Sequence, residues 1–95
     1  MSSNLNVTKQ KIDRAQPGSQ KAFEELFEAF HEPIARYILL RVLDVHVAEE
    51  LSSQVWFKAV EKLGKFKWQH EHSFSAWLYR IASNQVNSYF RRGMK

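Results

Sequence analysis

Apolar positions along this chain recur at intervals of three and four residues and nowhere alternate at two, which predicts helices and no strands. Ser19 is placed to cap a helix through "QKAFEELFEAFHE", whose apolar face is Ala22, Phe23, Leu26, Phe27 and Phe30. Pro33 suits the first turn of a separate short helix over residues 34–43, with Ile34, Tyr37, Ile38 and Val42 as its apolar set, widened by Leu39 and Leu40. The two predict a helical hairpin. Asp44 is placed to cap a third helix, "VHVAEELSSQVWFKAVEKL", with the stripe Ala48, Leu51, Val55, Ala59 and Leu63 and with Gly64 as its stop. "GKFKWQHEH" reads as a loop, after which Ser73 caps a last helix, "FSAWLYRIASNQVNSYFRR", apolar along Phe74, Leu78, Ile81, Ala82 and Tyr89. The first 18 residues are polar, end in "PGS" and offer little to bury, so they read as a flexible leader. The expected fold is all-α: a compact bundle of about four helices over residues 19–95.

The other side of the last helix is not simply solvated. Arg80, Asn84, Asn87 and Arg91 step by four, three and four, which places them within an arc of about 60° at helical pitch. Arginine binds phosphate or a guanine edge, and asparagine offers a donor and an acceptor to a base. Arg92 and Lys95 extend the positive charge. Nucleic-acid contact fits this line better than a solvated face, which normally mixes Glu with Lys. The loop before it interleaves Lys65 and Lys67 with Phe66, Trp68 and Phe74, and Trp77 follows one turn into the helix. Cations beside accessible aromatic rings suit single strands, whose unstacked bases need a π-surface. Phe66 and Phe74 are expected in the core, Trp68 and Trp77 at the surface.

The third helix has a second organised face of Glu50, Ser53, Gln54, Phe57 and Glu61. An aromatic residue in an acidic and amide stripe resembles a docking surface for another protein. Spacing leaves open whether Phe57 anchors a partner or packs against the first two helices.

Charge separates along the chain in the same sense. Residues 1–61 carry seven Lys/Arg against nine Asp/Glu, and residues 62–95 carry seven against one. The basic end suits a polyanion. No cysteine is present, which removes disulfides and thiolate chemistry and fits a cytoplasmic location. No secretory signal stands at the start, and no window approaches the roughly 18 apolar residues of a membrane span. His70 and His72 lack the third and fourth ligands a zinc site needs. With no phosphate-binding Gly loop and no paired nucleophile and base, neither a cofactor nor an enzymatic activity is expected.

The two blocks "AEELSSQVWFKAVEKLGKF" and "FSAWLYRIASNQVNSYFRR" resemble region 2 of bacterial RNA polymerase sigma factors, in particular the extracytoplasmic-function (ECF) group. Its pattern runs roughly A-E-D-L-T-Q-E-V-F, a lysine-rich helix end, F-x-A-W-L-Y-R-I-A-R-N and a terminal R-R. The resemblance covers residues 22–92. It implies a non-enzymatic initiation domain that binds RNA polymerase core and opens the minus-ten promoter element, with catalysis left to the polymerase. Glu50, Ser53, Gln54, Phe57 and Glu61 would dock on the coiled coil of the β′ subunit. Lys65, Lys67, Trp68, His72, Trp77, Arg80, Ser83, Asn84, Asn87, Arg91 and Arg92 would bind promoter DNA, with the loop over residues 66–73 holding a flipped non-template base. Ser53 and Gln54 stand where the group has Gln-Glu, Ser83 where it has Arg, and Ser88 where it often has Asp. An anti-sigma factor is a further partner the group implies. The DNA-binding region 4 of such factors is not expected within these residues. The alternative reading is a helical protein adaptor with a non-specific basic face.

Overall fold

The computed structural model describes residues 9–93, so the first half of the expected leader and Lys95 lie outside the described residues. Among the described residues four α-helices form a compact all-α bundle: α1 (Lys9–Ala15), α2 (Gln20–Val42), α3 (Val45–Lys62) and α4 (Ser73–Arg91), with a 3-10 turn at Leu63–Lys65.

Two expectations about the helix layout are corrected, and one cap shifts by a residue. Part of the leader is α1, because Ile12 and Ala15, one turn apart, are buried in the common core. The chain then turns at Gly18, whose φ of 109° is open to glycine at no steric cost. Ser19 caps α2 as expected, its Oγ accepting the Ala22 N–H at 3.2 Å.

The second correction is Pro33, which sits inside α2 instead of opening a new helix. Proline in a helix interior costs about 3 kcal/mol, through a lost hydrogen bond and a clash with the carbonyl four residues back. Against it stands an unbroken stripe, Ala22, Leu26, Phe30, Ile34 and Ile38, all buried. Ile34 and Ile38 are fully buried, and each such side chain contributes about 1.5–3 kcal/mol. Breaking the helix at residue 33 would misalign both with the core, so burial wins.

α2 ends at Leu43, which takes the left-handed conformation (φ 58°) and donates its N–H to the Leu39 carbonyl. Asp44 then caps α3, Oδ1 accepting the Val47 N–H at 3.1 Å. The expected stripe of α3, Ala48, Leu51, Val55, Ala59 and Leu63, is buried throughout. Trp56 is buried beside it, meeting Phe27 and Phe23 edge-on at 5.0 and 6.1 Å. α4 buries Phe74, Leu78, Ile81, Ala82 and Val86, while Tyr89 is half-buried. Its N-cap is His72, one residue before the expected Ser73. α2 packs against α1, α3 and α4, and this arrangement presents the polar sides of α3 and α4 outward.

Candidate nucleic-acid interface and docking face

The polar line of α4 stands clear of the bundle. Arg80, Asn84, Asn87 and Arg91 are exposed, as is Arg92 past the helix end. Ser83 is half-buried at the edge of the line. Arg91 donates from Nη2 to the Ser88 hydroxyl at 3.1 Å. Among the described residues no carboxylate pairs with an arginine of this helix. Unneutralised guanidiniums and free amides on one face can contact phosphates and base edges.

The loop arrives beside this line along an aromatic seam. Phe66 and Phe74 are buried, as expected, and their rings meet edge-on at 5.7 Å. Phe74 meets Phe30 of α2 at 5.4 Å. Trp77 lies against both, 5.2 Å from Phe66 and 5.5 Å from Phe74. The expectation of surface tryptophans is therefore half right: Trp68 and Trp77 are each half-buried against the core, with the remainder accessible. A ring fixed on one side and open on the other is a stacking surface with little rotamer freedom left to lose. Lys65, Lys67 and His72 are exposed around it. The Nδ1 atom of His70 accepts the His72 N–H at 3.2 Å, and no metal-ligating cluster exists among the described residues.

Ser73 organises the end of the loop. Its Oγ accepts the N–H groups of Gln69 (3.2 Å) and His70 (3.4 Å) and donates to the His70 carbonyl at 2.8 Å. The start of the loop is held by a residue the sequence reading missed. Gln16, just past α1, donates from Nε2 to the carbonyls of Leu63 (3.1 Å) and Phe66 (2.6 Å). No sequence signal marks it, since its partners lie 47 and 50 positions away.

On α3, Glu50, Ser53 and Glu61 are exposed and Gln54 is half-buried. Phe57, left open by spacing, is 68% exposed, and Val60, not singled out before, is 58% exposed beside it. A groove between α2 and α3 continues this face through Ser53, Ser52, Val45, Leu39 and Arg36. An apolar centre ringed by acidic and amide groups has the build of a protein contact.

Comparison with known proteins gives the family of the chain. The family model described as sigma-70 region 2 matches residues 26–95. Over 80 residues the chain is 36% identical to the "ECF RNA polymerase sigma factor BldN" of Streptomyces coelicolor, covering 84% of this chain and 30% of that protein. It is 31% identical to the "RNA polymerase sigma-H factor" of Pseudomonas aeruginosa, covering 84% and 40%. It is 29% identical to the "ECF RNA polymerase sigma factor SigW" of Bacillus subtilis over 78 residues, covering 82% and 41%. The chain thus spans well under half the length of these relatives. No solved structure matches it. Together the family match and these relatives establish that the chain belongs to the sigma-70 region 2 family, as the region 2 domain of an ECF sigma factor.

Proposed function

We propose that this domain docks on the β′ coiled coil of RNA polymerase through α3 and captures the melted non-template strand of the minus-ten element with α4 and the preceding loop. As a sigma region it is not an enzyme; its work is differential binding. Opening a promoter step loses base stacking worth a few kcal/mol, which stacking and hydrogen bonds to an extruded base can offset. In this reading Arg80, Arg91, Arg92, Lys65 and Lys67 meet phosphates, Ser83, Asn84 and Asn87 meet base edges, and Trp68, Trp77 and His72 flank the extruded base. Glu50, Ser53, Gln54, Phe57 and Glu61 form the polymerase contact.

The observation that carries the reading is the juxtaposition on α4. A line of arginines and asparagines with no carboxylate partner among the described residues stands exposed on the helix that carries Trp77, and the loop before it carries Trp68, both rings half-buried against the core. The test is fluorescence anisotropy with a single-stranded non-template minus-ten oligonucleotide and scrambled controls. Selective binding that weakens in Asn84→Ala, Arg80→Ala and Trp77→Ala is expected. Equal, weak and salt-labile binding to every oligonucleotide would overturn it in favour of an adaptor with a non-specific basic face.

A further inference from the structure

The strand-binding loop has no helix or sheet to fix its path, so its shape depends on what pins its ends. Ser73 pins the far end through three short-range hydrogen bonds. At the near end the pin comes from elsewhere in the chain. The Gln16 amide donates to the Leu63 and Phe66 carbonyls, which bracket the 3-10 turn where α3 hands over to the loop. Gln16 is itself anchored, because its N–H donates to the Ile12 carbonyl at 2.9 Å and both Ile12 and Ala15 are buried.

We propose that Gln16 is a positioning residue for strand capture. By clamping two carbonyls at the exit of α3, it fixes where Lys67 and Trp68 stand relative to Trp77 and the α4 polar line. The inference rests on the reading of this loop as the holder of an extruded base. The direction of the Phe66 carbonyl sets the direction in which the chain leaves, while the Phe66 ring is wedged against Phe74 and Trp77. Ring and carbonyl together hold the start of the loop. Released from Gln16, the loop gains conformers, and a binding base must then order it. The position calls for a long side chain ending in N–H donors. A glutamate of the same shape offers only acceptors to the two carbonyls.

The test compares the unaltered chain with Gln16→Met, which keeps length and packing without donors, and Gln16→Glu, which keeps shape and inverts polarity. Hydrogen exchange should quicken at residues 67–72 in both variants, with protection of α2, α3 and α4 retained. Binding to the minus-ten strand is then set against the same strand with an abasic site at the captured position. The preference for the intact strand should fall about fivefold to tenfold, the scale of one or two lost hydrogen bonds. The salt slope should fall by no more than about 1.4, the share of the two loop lysines Lys65 and Lys67, because the phosphate contacts of Arg80, Arg91 and Arg92 are untouched. Unchanged loop exchange with unchanged preference overturns the proposal. So does a loss of preference that only accompanies lost protection throughout the bundle. If the unaltered chain shows no preference for the intact strand, the reading of the loop fails, and this role for Gln16 falls with it even where exchange has risen.

Discussion

At the scale of single residues, Trp56 and Phe57 show how one step along a helix divides two roles. On a helical wheel Phe57 lies about 180° from the centre of the α3 stripe and Trp56 about 80° from it. That angle is the physical reason Phe57 stands 68% exposed while its neighbour is buried. Not legible in the spacing was that Trp56 would be buried with its Nε1–H lacking a hydrogen-bond partner among the described residues. An unsatisfied buried donor costs about 1–3 kcal/mol, comparable to the packing a smaller ring would forfeit. Trp56→Phe should therefore shift stability by less than about 1 kcal/mol, whereas Trp56→Ala should cost about 3–5 kcal/mol, both read by urea denaturation. Tyr79 offers a second test. Burial raises its phenol above the ordinary value of 10.0, against a smaller opposing effect of Arg36 and with a further push from Tyr37, whose ring it meets edge-on at 5.2 Å. The neutral phenol is thus favoured in the folded state. Its contribution is intact below pH 10 and is lost as pH rises through the folded value. Tyr79→Phe should flatten the alkaline fall of the urea midpoint above pH 10 relative to the unaltered chain.

At the scale of elements, the cap of α3 and the stripes of α3 and α4 were readable because local chemistry and global packing agree there. Asp44 binds the Val47 N–H as its sequence position suggests. Pro33 misled because its local preference for a helix start opposes a tertiary demand, the continuous run of buried side chains on α2. α1 was missed because seven residues with two apolar positions carry no periodic signal, and only the assembled bundle supplies the surface that Ile12 and Ala15 cover. If Pro33 is tolerated and not required, replacing it should stabilise the chain. The helix-interior penalty of about 3 kcal/mol, less about 1 kcal/mol for the greater unfolded-state freedom of alanine, predicts a gain of about 2 kcal/mol for Pro33→Ala in thermal or urea unfolding.

At the scale of the whole molecule, the charge asymmetry visible in the sequence becomes a spatial one: the basic α4 and loop project one field, the acidic and apolar α3 face another. The α4 line was legible because a helix turns a spacing into a face. The loop was legible only as composition, since nothing local encodes Gln16 reaching it or the core covering half of each tryptophan. The two kinds of polar residue on α4 should separate under salt. Arg91→Ala should weaken all oligonucleotides alike and lower the salt slope by about 0.7, the value for one phosphate contact on a single strand. Asn84→Ala should leave that slope unchanged and reduce discrimination between sequences, both read by anisotropy over a salt series. The central place of α2, packed on α1, α3 and α4, also has a kinetic meaning. A helix that every neighbour needs is the expected folding nucleus, and α1, short and peripheral, the last piece to dock. Ile34 and Ile12 are almost equally buried, yet in stopped-flow measurements Ile34→Val should slow refolding and Ile12→Val should chiefly quicken unfolding. The lifetime of the pinned loop would then be governed by how long α1 stays docked.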